Sequence, residues 1–300
     1  MKQLTPQDSL LFEAVYREAE PGELEAYLRK RAGISGRSLR KYFFRGLVFV
    51  NQRKAHSAAK VKPGDIVKVL LPKEQQSLAA EDLPIEIVFE NHDLLVLNKP
   101  AGMAVHPSGK INRGTLSHGV AAYFEKTGHA AKVRPVNRLD YGTSGLVIFA
   151  KSAASQEQLS NAIREHRIAR IYTALVHGCP TAQSGMIDLP ISEVRGRRIV
   201  SATGQPAQTN YRIVEKIPPY SLLEIRLVTG RTHQIRVHLS HLGWPVVGDP
   251  QYGRKSSLID RPALHAGRLD FAASGFPVPP LEAPLPADFR SLIDRVKNGT

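Results

Sequence analysis

Asp140 stands at the threshold of an apolar run, residues 146–150, with Arg138 two positions ahead of it and Gly142, Thr143, Ser144 and Gly145 between. An aspartate kept ionised beside a cation serves as a nucleophile or stabilises developing positive charge. The same pair also fits a structural ion pair at a strand entrance, and spacing leaves both open. Tyr172 lies in "RIYTALV", where strand alternation puts it opposite Ile171 and beside Ala174 and Val176. Arg231 and Arg236 flank "THQI" before and inside an expected helix. His233, His238 and His241 follow at spacings of five and three, without the HExxH arrangement of a zinc site, so ordinary hydrogen-bonding or surface histidines are expected and no metal. A Walker loop, GxGxxG and GxSxG are all absent from the sequence.

These residues need a frame. "IEIVFENHDLLVLNKP" reads as two strands around a polar turn at 91–93, and "SAASQEQLSNAIREH" as a helix capped by Ser152. "RIYTALVHG", "QTNYRIVEKI", "SLLEIRLV" and "ALHAGRLDFAAS" read as strands. "THQIRVHLSHLG" reads as a helix from Thr232 to a stop at Gly243, and "PADFRSLIDRVKNG" as a terminal helix. Strands outnumber helices and several follow one another without a crossover, so an α+β fold on a mixed, mostly antiparallel sheet is expected.

A polar, Pro-bounded seam over 71–84 separates this region from a smaller unit before it. Its core is expected over about 21–72: a helix carrying Leu24 and Leu28, a second helix with Leu39, Phe43 and Phe44 inward, then the strands "LVFVN" and "DIVKVLL". The expected division is a small α/β domain over 1–75, a linker over 76–84 and a large domain over 85–300.

The chain has 300 residues, 42% of them apolar, and a net charge of +14. Such an excess points to a polyanion, most simply a nucleic acid. The single cysteine, Cys179, excludes an internal disulfide framework and fits a reducing compartment. The N-terminus lacks an apolar signal core and no run is long enough to span a membrane, so a cytoplasmic protein is expected, monomeric by default. Residues 29–45 hold seven basic side chains and no acidic one, which would align Arg37, Arg40, Lys41 and Arg45 on one surface for phosphate contact.

"GRSLRKYFFRGLVFVN" with "VKPGDIVKV" resembles the small RNA-binding domain named after ribosomal protein S4, although Gly36 and Gln52 depart from its usual serine and glycine. Beyond the seam, "LNKPAGMAVHP", "RPVNRLDYGTSGLVIFAKS", "ARIYTALVHG", "GQPAQTNYRIV", "TGRTHQIRVHLSHLGWPVVGDPQYG" and "ALHAGRLDF" together resemble the RluA-type pseudouridine synthases, in that order, from about 84 to 290.

That resemblance implies the pseudouridine synthase fold and an enzyme that isomerises uridine in ribosomal or transfer RNA. It makes Asp140 the catalytic carboxylate, Tyr172 the tyrosine against the target base and Arg236 the partner of the aspartate. Arg138 would fill the space left by the flipped uridine, with Arg231 and His233 in the same RNA-contacting motif. Asn137 stands where the family usually has histidine. The reaction breaks a nitrogen–carbon glycosidic bond, turns the uracil and rejoins it through carbon, without redox change or donor, so no cofactor is expected. The competing reading is a non-catalytic RNA-binding or ribosome-assembly protein on a synthase fold; Asp140, Tyr172 and Arg236 standing together favour the enzyme.

Overall fold

The computed structural model describes residues 10–70, 78–109, 111–129 and 131–299. The N-terminal segment at 1–9 and the first half of the expected seam, at 71–77, therefore lie outside the described residues.

The first unit runs β1 (Leu10–Val15), β2 (Gly22–Glu23), α1 (Leu24–Arg31), α2 (Gly36–Phe44), β3 (Val48–Val50), β4 (Arg53–Lys54), β5 (Lys60–Val61) and β6 (Ile66–Leu70). One antiparallel sheet orders β1-β6-β3-β4, and β2 pairs with β5. Leu24, Leu28 and Ile34 pack with Leu39, Tyr42, Val48, Val67 and Val69 in a core of their own. Strand β1 begins eleven residues before the expected core start at 21 and forms one edge of the sheet. Ser35 caps α2 by accepting the Ser38 N–H at 3.2 Å.

One expectation fails in α2. Phe44 is 93% exposed, and Tyr42 takes the inward place. Seen down the helix, Leu39 and Tyr42 mark the buried side. Arg37, Arg40, Lys41 and Phe44 recur at three- and four-residue steps on the opposite, exposed side.

The larger unit continues with β7 (Glu86–Glu90), β8 (Leu94–Lys99), α3 (Leu116–Lys126), β9 (Arg134–Pro135), β10 (Ser144–Ala150), α4 (Ala153–Arg164), β11 (Ala169–His177) and β12 (Ser184–Asp188). Then come β13 (Ile191–Val194), β14 (Arg197–Val200), β15 (Gln208–Ile217), β16 (Tyr220–Leu227), α5 (Gln234–His241), β17 (Leu264–Asp270), β18 (Leu281–Glu282) and α6 (Ala287–Lys297). A ten-stranded sheet runs β12-β15-β16-β11-β17-β10-β8-β7, with β18 on β17 and β9 on β10. Every pairing is antiparallel except β10 with β17. This is the mixed, mostly antiparallel α+β architecture that the strand order implied.

Strand β10 is buried along its whole length because both faces are covered, which is why it reads as a continuous apolar run. One core, including Leu97, Val147 and Phe149, packs with α3 and α6 through Phe124 and Phe289. The other, including Val96, Ile148 and Leu159, packs with α4. At the parallel junction Gly145 has φ of +115°, and a Cβ there would overlap the Ala266 backbone, so only glycine lets β17 approach. That contact fixes the loop just ahead of β10, where Asp140 sits. Among the described residues no helix is long and apolar enough to cross a membrane.

Candidate active site

The loop from Arg138 to Thr143 enters β10 beside the start of β17, and α5 presents its first turns to the same place. A cleft of about 440 Å³ opens there, lined among others by Arg138, Asp140, Tyr172, Arg231, His233 and Arg236. The loop is braced by Asn137. Its side-chain amide accepts the Ile148 N–H at 2.7 Å and donates to the Leu146 carbonyl at 3.3 Å, pairing β10 as another strand would. Asn137 therefore acts as a backbone mimic, a role that requires no titratable group.

Arg236 Nη1 donates to Asp140 Oδ2 at 3.0 Å. The rest of the guanidinium belongs to a residue that sequence reasoning passed over. Arg236 Nε and Nη2 grip Asp249 at 2.7 and 2.8 Å, and the Asp249 side chain is fully buried. Asp249 also accepts the Gln251 and Tyr252 N–H groups at 3.0 and 3.2 Å. Burial alone would raise the Asp249 pKa, but the hydrogen bonds and charge of Arg236 hold it below the usual range. Burial would likewise lower Arg236, and the bonds to Asp249 with the charge of both carboxylates raise it instead. Asp249 follows Gly248, whose φ of +76° and close approach to the Arg261 carbonyl demand glycine. In the sequence, "GDPQYG" looks only like a turn, so nothing local marks its aspartate as an arginine anchor.

His233 has φ of +57° and precedes α5, which starts at Gln234 rather than at the expected Thr232. Its Nδ1 meets the Tyr252 hydroxyl at 2.9 Å, and Nε2 lies 3.8 Å from Asp140 Oδ1, beyond hydrogen-bond reach. Burial pushes the imidazole below its usual pKa more than Asp140 draws it up, so the ring is neutral near pH 7. Buried Gln234 fastens the preceding turn by donating to the Gln208 carbonyl at 2.9 Å and accepting the Arg231 N–H at 2.9 Å. His238 is bonded through both ring nitrogens, to Thr209 and the Leu189 carbonyl, and His241 is exposed, so these two are structural and surface histidines.

Tyr172 is 5% exposed and lines the cleft. It sits at an irregularity: the two-residue step from Ile171 to Thr173 in β11 spans a three-residue step from Arg268 to His265 in β17. Its hydroxyl makes no hydrogen bond among the described residues. Burial first, then the charge of Asp140, raises its pKa against the opposing pull of Arg170, so the phenol is neutral. Arg138 Nη2 donates to Thr232 Oγ1 at 3.2 Å, and Arg231 Nε to the Pro206 carbonyl at 3.0 Å, leaving both side chains at the exposed rim.

Residues 93–241 match the RNA pseudouridylate synthase family. An uncharacterized RNA pseudouridine synthase of Bacillus subtilis, YlyB, is 40% identical over 265 residues, 85% of this chain and 87% of its own length. The chain belongs to the RNA pseudouridine synthase family. Ribosomal large subunit pseudouridine synthase D of Nitrosomonas europaea is 36% identical over 267 residues, 84% of this chain and 77% of its own. The solved structure of human RNA pseudouridylate synthase domain containing 4 shares the fold, with a TM-score of 0.60 at 24% identity over 71% of this chain and 93% of its own. An RNA pseudouridine synthase is an isomerase, so its product holds the atoms of its substrate rearranged.

Two further residues of the synthase were not foreseen. Lys99 is fully buried at the end of β8, donating to the Pro100 and Met103 carbonyls at 2.8 Å each and to the Tyr141 carbonyl at 3.4 Å. It ties the loop of Asp140 to the next strand. Burial pulls its pKa down to about 7 despite the charge of Asp140. Arg170 is 8% exposed and lines the cleft with Nη2 on the Thr229 carbonyl at 3.2 Å, while its Nε has no partner. Among the described residues no carboxylate lies within ion-pair distance of it. Of the four basic residues expected on the second helix, Arg37, Arg40 and Lys41 lie on α2 and Arg45 at its C-cap; all four are exposed and none lines the cleft.

Proposed function

We propose that this synthase isomerises uridine in structured ribosomal or transfer RNA, with Asp140 as its catalytic carboxylate. Relatives named ribosomal large subunit pseudouridine synthase D favour large-subunit ribosomal RNA as the substrate. The observation that carries the role of Asp140 is its single 3.0 Å bond to an arginine otherwise committed to Asp249. The bond holds Oδ2 in place, while Oδ1, 3.8 Å from His233 Nε2, has no hydrogen bond among the described residues and is left for the ribose or base.

The uridine must leave its stack to reach Asp140, at a cost of about a few kcal/mol, and Arg138 at the rim is placed to offset part of it. Tyr172 then packs against the base, and its hydroxyl serves as a relay, its oxygen taking the proton from the carbon that forms the new bond as the phenol's own proton passes to solvent. Residues up to about 75 act as the RNA-binding domain that S4-like residues suggest, adding affinity through the cations of α2.

The deciding experiment replaces Asp140 with Asn, which keeps shape and removes charge. Pseudouridine mapping by chemical-adduct sequencing, in cells carrying the wild type, the variant or no gene, should show the same uridines unmodified in the last two. A variant that restores modification fully would remove Asp140 from the chemistry.

A further inference from the structure

Helix α4 touches both halves of the chain. Its Glu157 carboxylate accepts the Ser35 N–H at 2.9 Å, at the N-terminal end of α2, where the helix dipole favours negative charge. One turn on, Asn161 donates to the Gly33 carbonyl at 2.8 Å. Ala153 and Ala154 pack on the core of the first unit. The basic helix α2 is thus seated on α4 at a fixed place.

Between the two helices lies a groove of about 450 Å³, with Ser38 and Lys41 on one wall and α4 on the other. Ser160 and Arg164 line this groove and also the cleft of Asp140, so the two spaces share a wall. Among the described residues each space has one carboxylate in its lining, and both are engaged: Glu157 by Ser35, Asp140 by Arg236. The cations Lys41, Arg164 and Arg170 run along this path, and the innermost, Arg170, is more than nine-tenths buried with an unpartnered Nε and no carboxylate partner among the described residues. Burying a guanidinium without a counter-charge is costly, which marks the place for a ligand anion.

We propose that the RNA strand flanking the target uridine lies along α4, entering between α2 and α4 over Lys41, crossing Arg164 and bringing a backbone phosphate to Arg170. This rests on the reading of the chain as an RNA-modifying enzyme and adds the direction from which the RNA arrives. From Glu157 to Arg164 the helix rises about 10 Å, the length of about three stacked nucleotides.

Photocrosslinking the full chain with short single-stranded RNAs bearing one 4-thiouridine, followed by peptide mass spectrometry, tests the path. Crosslinks are expected on the α2 and α4 peptides as the label moves away from the reactive uridine. Crosslinks at the cleft rim near Arg138 and Arg231 with none on α4 would overturn the track and leave the RNA reading standing. No crosslink to the chain at all would overturn both.

In parallel, the Lys41→Gln, Arg164→Gln double variant should lower the slope of log affinity against log salt by about 1.4 on single-stranded RNA. The charge-matched control Lys216→Gln, on an exposed position of β15 away from the groove, should leave it unchanged. Equal slopes in the double variant and wild type, with circular dichroism showing both folded, would also overturn the track.

Discussion

Arg236 divides its guanidinium unequally between two carboxylates, with bonds of 2.7 and 2.8 Å to buried Asp249 and one of 3.0 Å to Asp140. Asp249 positions the arginine, and Asp140 receives what remains. The two aspartates should therefore fail differently. Asp249→Asn breaks a buried pair and should cost about 3 kcal/mol in urea unfolding. It should also cost on the order of 10²-fold in single-turnover rate, because Arg236 loses its seat. Asp140→Asn should abolish turnover while costing no more than about 1 kcal/mol. Similar stability losses in the two variants would contradict this division of labour.

Asn137 replaces a histidine usual in the resembling family, yet its amide makes two backbone bonds to β10. Asn137→Ala leaves the Ile148 N–H unpaired inside the sheet and should cost about 1–3 kcal/mol. The folded fraction should keep its rate within a few-fold, since no proton passes through this residue. A loss of rate without a loss of melting temperature would give Asn137 a chemical part.

Lys99 gives a pH signature. Its pKa is about 7 in the folded chain against an ordinary 10.5. Between those values the unfolded chain binds more protons, so this group makes stability rise with pH across that window, and its burial is most costly below pH 7. Lys99→Met removes the group. Urea unfolding at pH 7 and pH 9 should show wild type gaining on the order of 2 kcal/mol relative to the variant. Parallel pH dependence would mean that the three carbonyls hold the ammonium charged throughout.

Phe44 is 93% exposed on the same side of α2 as Arg37, Arg40 and Lys41. An aromatic ring among cations suits an unstacked base. Phe44→Ser should leave the melting temperature unchanged and weaken single-stranded RNA binding by about 1–3 kcal/mol, measured by fluorescence anisotropy. Unchanged affinity would leave the exposed ring without a role in RNA contact.

The sequence disclosed those parts of the fold whose burial is one-sided or whose ends are punctuated. Strands β15 and β16 and helix α4 show their period and caps openly. Helix α3 does not, because it is buried nearly all round and has no polar stripe to set a phase. Phe44 was misplaced because "YFF" offers three aromatic positions to an inward face that takes Tyr42 fully and Phe43 in part. In the site, Asp140 was visible as a charge before an apolar strand, and the family motifs singled out Arg236. Asp249 was hidden because it looks locally like part of a turn and Lys99 because it looks like the polar end of a strand, and only the packing of distant elements shows what each one holds.

Tyr172 offers the sharpest chemical test. Its ring is buried in the cleft, and its hydroxyl makes no hydrogen bond among the described residues, so removing the oxygen deprives no described group of a partner. Tyr172→Phe should unfold within about 0.5 kcal/mol of wild type. If the hydroxyl assists loss of the proton from the bonding carbon, tritium release from RNA labelled at that carbon should slow by about 10²-fold. The raised pKa adds a second condition: the phenol, not the phenolate, is the working form, so wild-type release should show no rising limb from this group below pH 10. A phenylalanine variant that releases tritium at the wild-type rate would reduce Tyr172 to a surface against which the base packs.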